Sequence, residues 1–543
     1  MLKFAAIAAG LVLSGQAAAF DHHDMTAESP RATGMVQTEA GKVQGLMEDG
    51  IAAFKGIPYG KAPVGDLRFM PPQKPEAWEG VYTATSFGAP AMQMYSPSGP
   101  NHTDFSTEMQ AIFPTLEELK IDNEDSLFLN VWTPATDDKK RPVMVWFHGG
   151  GYAYGSGSWP AYDGRNLAEK GDVVVVTVNH RLNLFGYLSL AHRFGDDFAK
   201  SGNAGNLDLV ASLEWVRDNI AGFGGDPANV TIMGESGGGS KVSHLLAMPA
   251  ADGLFQKAII QSGPGVTSGK AEDAAALADK LLAEVGAETA EDLRAVPADT
   301  LLAAGRKVLG NGGPGGPNFG PVVDGAVLPR DPFMPAAPEQ SADVPILIGF
   351  NKDEMTIFMA QQPWFGTLTN EMLDGMSGMF GDNGKALVAL YREQLPDYSP
   401  THIAVRAMGA RFAYGTYILA DQKARQAASG GAPVYAYWLT YETPVNEGIL
   451  RTPHTLDIPF MFDNVDKTRV LVGPGDGPEK LADMMSDAWI SFAKTGTPAS
   501  ELLPEWKPYT FEQRNFMQLD TDPKLVEDPE GPMRALLAST DRK

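Results

Sequence analysis

The chain has 543 residues, of which 43% are hydrophobic and 20% charged, and it carries a formal net charge of −24. That length and composition belong to a globular protein with a sizeable core, which excludes disordered and fibrous classes. The acidic balance excludes nucleic acid as a partner, because a phosphate backbone needs a basic face, and the lack of cysteine excludes disulfides, thiol chemistry and a lipoprotein anchor.

Met1-Leu2-Lys3, the apolar run 4–13 and Ala17-Ala18-Ala19 follow the order of a secretory signal: positive start, short apolar stretch, small residues. Residues 1–19 are read as a cleaved signal peptide, and the mature protein as exported, either periplasmic or secreted. No later stretch has the length of a membrane span. Residues 20–37 are polar and aperiodic and are expected to form a disordered lead. His22-His23-Asp24 within them is expected to be solvated rather than metal-binding. From 38 to 543 no repeat or low-complexity linker divides the chain, so a single domain is expected.

Proline and glycine in 54–59 and 63–69 mark a folded but irregular entry segment, and 90–123 reads as loop overhanging a site. Residues 124–132 alternate as a strand. The run 143–147 is continuously apolar, a strand buried on both faces, and it ends at His148-Gly149-Gly150-Gly151. Residues 172–178 form another such strand, and Leu209, Leu213, Val216 and Ile220 recur at helical spacing until Gly224-Gly225-Asp226-Pro227 stops them. Val230-Thr231-Ile232-Met233 then leads into Gly234-Glu235-Ser236-Gly237-Gly238. Strand, helix, strand in that order builds a parallel, doubly wound sheet. Further strands are expected at 257–263, 346–350, 434–439 and 516–519, and helices at 271–291, through much of 364–430 and around 484–493. Met372, Met376 and Met379 are read as packing or pocket lining rather than metal ligands.

The chemistry gathers at Ser236. A serine between glycines, on a strand-to-helix turn, is a nucleophile elbow, and the N–H of Gly237 then points at whatever the hydroxyl attacks. The glycines after strand 143–147 leave their N–H groups uncovered, as the remaining oxyanion donors require. A phosphate-binding loop is disfavoured there because no Gly-Lys-Ser/Thr ending follows. A serine hydroxyl needs a base, most often histidine, oriented by a carboxylate. Of nine histidines, His148 and His180 precede the elbow, and His244 lies roughly 12 Å down the following helix. His402 falls inside a helical pattern, which leaves His454, in a late loop, as the better candidate. Asp353 and Glu354 both follow a buried strand between elbow and histidine, and spacing does not choose between them.

These motifs together resemble the type B carboxylesterases, the family that includes cholinesterases, over about residues 41–520. The resemblance is carried by Phe54-Lys55-Gly56-Ile57-Pro58-Tyr59, Leu67-Arg68-Phe69, Glu124 to Val131, the His-Gly-Gly-Gly loop, Phe223 to Pro227, Gly-Glu-Ser-Gly-Gly and Asn351-Lys352-Asp353-Glu354. It implies an α/β-hydrolase fold, a large mostly parallel central sheet with helices on both faces and long insertions. It implies a catalytic triad of Ser236, Glu354 and His454, oxyanion donors from Gly150, Gly151 and Gly237, a supporting Ser262, a structural Asp353 and an Arg68–Glu124 ion pair. The implied activity is hydrolysis of small-molecule carboxylic esters through an acyl-enzyme, without metal or cofactor. Rivals are amide, carbamate or lactone hydrolysis on the same triad, and a non-catalytic esterase-like binding protein. The chain departs from the family in having Gly237 where alanine is usual, Ser126 where the cysteine of the N-terminal disulfide is usual, and Met355 and Thr455 in place of glycines. Gly315-Gly316-Pro317-Asn318-Phe319 replaces an aromatic acyl wall, which implies a roomier acyl side.

Overall fold

A computed structural model describes residues 31–94, 113, 121–310 and 318–540. The expected signal segment, most of the 90–123 loop and residues 311–317 lie outside them. Among the described residues a 13-stranded sheet organises the fold. In spatial order its strands are Arg31–Gln37, Lys42–Glu48, Ile51–Pro58, Phe128–Thr133, Val174–Val178, Arg141–Phe147, Gly225–Glu235, Lys257–Gln261, Ile346–Asn351, Val434–Leu439, Asn515–Leu519 and Lys524–Glu527, with Val81–Thr83 beside Lys42–Glu48. From Val174–Val178 to Asn515–Leu519 every neighbour is parallel. The first four strands and the last pair antiparallel.

The parallel strands are buried through their central residues, which is why those stretches read as unbroken apolar runs. Alternation still assigns each residue to a face. Val143, Val145 and Phe147 join the core under the helices Ala204–Asn219 and Pro400–Ala428, and Met144 and Trp146 join the core under the helix Gly477–Thr495. Each fully buried side chain of this size stabilises the fold by about 1.5–3 kcal/mol. A third core lies under the helices Ala271–Val285 and Ala298–Leu309 and reaches Tyr152 beside the glycine loop.

The disordered lead does not extend to residue 37. Arg31–Gln37 is a strand paired with Lys42–Glu48. It sits at the sheet's edge and buries Thr33 and Val36 alone, so it needs no apolar run, and Thr33 Oγ1 accepts the Gly45 N–H at 2.9 Å. The helix expected over 271–291 is two, broken at Gly286, whose left-handed φ of +69° caps the first. Thr289 and Asp292 form the capping box of the second, Ala290–Ala295. The methionine stripe fails as well. The helix Asn370–Met376 ends in a 3-10 turn, so Met376 packs on the core while Met372 and Met379 are 47% and 81% exposed. Among the described residues no helix is long and apolar enough to cross a membrane.

Candidate active site

The strand Gly225–Glu235 ends one residue before Ser236, and the helix Gly237–Leu245 begins one residue after it. Ser236 takes φ 57° and ψ −123°, a conformation that L-residues avoid and that costs about 1–3 kcal/mol. The flanking glycines permit it. A Cβ on Gly238 would lie 2.0 Å from the Phe147 carbonyl oxygen, and one on Gly234 would lie 2.5 Å from the carbonyl carbon of Gly238. The Ser236 N–H donates to Gln261 O at 2.8 Å, fixing the turn to the adjacent strand.

The glycine loop closes over this turn. A Cβ on Gly149 would lie 3.4 Å from the Ser236 Cβ, and Gly151 packs directly against Gly237. Gly150 and Gly151 both adopt positive φ, 81° and 62°. Gly237 opens its helix, so its N–H has no intrahelical acceptor. The structure therefore brings Ser236, Gly151 and Gly237 together at the ends of two parallel strands.

His454 arrives from the loop after Val434–Leu439 and is buried. Its Nδ1 donates to Glu354 Oε2 at 2.5 Å, and Glu354 Oε1 accepts the Asn351 N–H at 2.8 Å. The Asn351 side-chain amide donates to Pro453 O at 2.9 Å, which ties the acid's loop to the histidine's. Asp353 points elsewhere. Its N–H donates to Thr452 O, its carbonyl accepts from Thr356, and its buried carboxyl, pushed up by burial, meets neither His454 nor another hydrogen-bond donor. Of the two neighbouring carboxylates, Glu354 is the one that meets His454.

The other ring nitrogen, His454 Nε2, is buried without a hydrogen-bond partner. Glu235 Oε1 lies 3.1 Å from it, and the Phe358 and Phe412 rings flank the imidazole at 5.2 and 5.5 Å. Burial opposes the imidazolium, but Glu235, Glu354 and Asp457 overcome it and raise His454 to about 9. Burial likewise pushes the Glu235 carboxyl well above its usual range, with His454 pulling the other way. Asp457 is buried and accepts from Gln261 Nε2 and the Tyr437 hydroxyl, each at 2.7 Å.

Other predicted residues fall outside this contact set. Ser262 is buried at φ 48°, but its hydroxyl has no hydrogen-bond partner and is not bonded to Glu354. His244 Nδ1 donates to Ser240 O and its Nε2 meets Ser268 Oγ, both at 2.6 Å, and His402 Nε2 donates to Ile449 O. His148 and His180 stack on one another at 4.9 Å. Arg68 and Glu124 form the expected ion pair, at 2.5 Å. Among the described residues no group of three or more His, Asp and Glu is arranged to hold a metal. Glu235, Asp457 and the two phenylalanines were not singled out from sequence. Glu235 stands inside the elbow motif and Asp457 three residues after the histidine, but only the folded chain brings Glu235 to the imidazole and buries Asp457 on Gln261 and Tyr437 behind it.

The carboxylesterase family model matches residues 32–535. The chain belongs to the carboxylesterase family. Among carboxylesterase relatives, the para-nitrobenzyl esterase of Bacillus subtilis is 37% identical over 515 residues, covering 93% of this chain and 98% of its own. Liver carboxylesterase 1 of Oryctolagus cuniculus is 31% identical, covering 90% of each. The crystal structure of Geobacillus stearothermophilus carboxylesterase EST55 superposes with a TM-score of 0.79 at 40% identity, over 92% of this chain and 99% of that one. The sheet and helices described above are accordingly an α/β-hydrolase fold.

Proposed function

We propose that this carboxylesterase-family hydrolase cleaves small-molecule carboxylic esters through an acyl-enzyme on Ser236, with His454 as base, Glu354 as its orienting acid and the Gly150, Gly151 and Gly237 N–H groups as oxyanion donors. The carrying observation is the buried His454, held through Nδ1 by Glu354 at 2.5 Å, with Nε2 making no hydrogen bond and Glu235 Oε1 3.1 Å from it. A carboxylate at Nδ1 fixes the proton there and leaves the Nε2 lone pair as the base. Catalytic hydrogen bonds in unliganded enzymes commonly tighten when substrate enters, so an Nε2 that makes no hydrogen bond suits a base awaiting the Ser236 proton.

In the first half-reaction Ser236 Oγ bonds to the ester carbonyl carbon while its proton passes to His454 Nε2. The oxyanion forms against the glycine N–H groups, each contributing about 3 kcal/mol to its stabilisation. Collapse expels the alkoxide, which takes the proton from His454. Water then attacks the acyl-enzyme through the same base and releases the acid. The segment 1–19, read as a signal peptide, supports export to the periplasm or beyond, and the span 38–543 is proposed as one domain.

The test is hydrolysis of p-nitrophenyl acetate, butyrate and octanoate by the protein and by Ser236→Ala. Turnover lost in the variant supports the nucleophile, and the chain-length trend sizes the acyl pocket. Equal rates in both proteins would refute Ser236 as the nucleophile, and no turnover in either would count against ester hydrolysis of these substrates and turn attention to amides, carbamates and lactones.

A further inference from the structure

Lys241 lies one turn into the elbow helix and runs beneath the glycine loop. It is fully buried, at 0% exposure, where a lone ammonium is costly unless its protons find acceptors. The acceptors are two backbone carbonyls: Nζ donates to His148 O at 2.8 Å and to Gly151 O at 3.0 Å. Its remaining direction faces the Tyr152 ring, 5.3 Å from the centroid. The two carbonyls belong to the first and last residues of the His148-Gly149-Gly150-Gly151 segment, so one side chain spans the whole loop. The stacked imidazoles of His148 and His180 flank it, both held well below their usual range by burial and then by the Lys241 charge.

A second observation concerns what the loop rests on. A Cβ on Gly237 would fall 2.3 Å from Gly151 O, 2.5 Å from its Cα and 2.6 Å from its N. The Gly151 backbone occupies the space where a residue larger than glycine after the nucleophile would place its methyl. The same Gly151 carbonyl that touches Gly237 is the one Lys241 holds from the other side.

Taking the oxyanion assignment above as given, we infer that Lys241 is a positioning residue whose buried ammonium ties both ends of the oxyanion loop and holds Gly151 against Gly237. The N–H groups of Gly150, Gly151 and Gly237 are thereby aimed at one point without a hydrogen bond from the substrate being needed to order them. Burial lowers the Lys241 amine to about 7, and the neutral amine still has two N–H donors, one for each carbonyl, so the tie persists where His454 is neutral.

The test compares Lys241→Met, which keeps length and burial but loses the donors, with Lys241→Gln, which restores an uncharged donor. Each is assayed for p-nitrophenyl butyrate hydrolysis, for melting temperature and for inhibition by an alkyl trifluoromethyl ketone, whose adduct carries an oxyanion. In Lys241→Met, kcat is expected to fall about 10- to 100-fold, less than removing an oxyanion donor outright. The ketone affinity should weaken by the same factor, KM should stay within about threefold, and Lys241→Gln should recover part of the loss. A kcat/KM within twofold of the parent would overturn the inference. So would variants that fail to fold, or that lose stability and raise KM with the ketone-to-substrate ratio unchanged, since Lys241 would then serve packing alone. Ser236→Ala runs alongside: residual turnover in it would defeat the nucleophile assignment, a failure distinct from that of the clamp.

Discussion

Glu354→Gln isolates the orienting acid with almost no change of shape. Glu354 Oε1 accepts the Asn351 N–H at 2.8 Å, so in the variant the amide oxygen must take that place. The amide nitrogen is then forced against His454 Nδ1, where Oε2 now accepts at 2.5 Å. Two donors cannot face each other, so the imidazole proton shifts to Nε2 and the base is lost to the wrong tautomer. The equivalent change in a serine protease triad lowers kcat about 10⁴-fold, or roughly 5.5 kcal/mol at 1.36 kcal/mol per decade. The expected result with p-nitrophenyl butyrate is a loss of that order in kcat, with KM changed only a few-fold and the melting temperature nearly kept. Asp353→Asn serves as the internal comparison, because its carboxyl meets no donor. A Glu354→Gln enzyme within tenfold of the parent, or an Asp353→Asn loss as large, would refute the reasoning.

His454 acts as base only when neutral, so kcat/KM rises as pH passes upward through its pKa; because Glu235 helps raise that value to about 9, Glu235→Gln should move the acidic limb to lower pH. An unmoved limb in a pH–rate profile would mean that Glu235 carries no charge in the free enzyme. Arg181 and Asp208 form a buried pair with bonds of 2.7 and 2.9 Å, and Asp208→Asn should lower unfolding stability by about 3–5 kcal/mol; an unchanged urea midpoint would contradict it. Gly238→Ala puts a methyl 2.0 Å from Phe147 O and should abolish activity or soluble expression. Gly375→Ala, in the open on the helix Asn370–Met376, should be neutral or stabilise by up to about 1 kcal/mol, which circular dichroism melting of the pair would check.

The central sheet was legible because strands buried on both faces cannot hide: runs such as 143–147 and 172–178 have no polar alternation to confuse. The elbow was equally plain, since its glycines are demanded by contacts with Phe147 and with each other. Edge strands were the opposite case. Arg31–Gln37 buries two side chains and looks like any polar leader. Asp353 and Glu354 are buried neighbours in one loop, and which of them faces His454 depends on the backbone direction set by Asn351 and Thr452, information that spacing does not hold. Nothing in the sequence marks Lys241, since its burial follows from a glycine loop about ninety residues earlier folding back over the helix. The methionines misled because Met379 lies past the end of the helix and Met372 stands on its outer face.

The central claim is that Ser236 carries the acyl group, and trapping it is the most direct test. The protein would be treated with a p-nitrophenyl alkylphosphonate, its intact mass measured, and the modified peptide sequenced. The account predicts one adduct per chain, on Ser236, with stoichiometric loss of esterase activity and no adduct in Ser236→Ala. An adduct on Ser240, Ser262 or another residue, or full activity surviving complete labelling of Ser236, would contradict it.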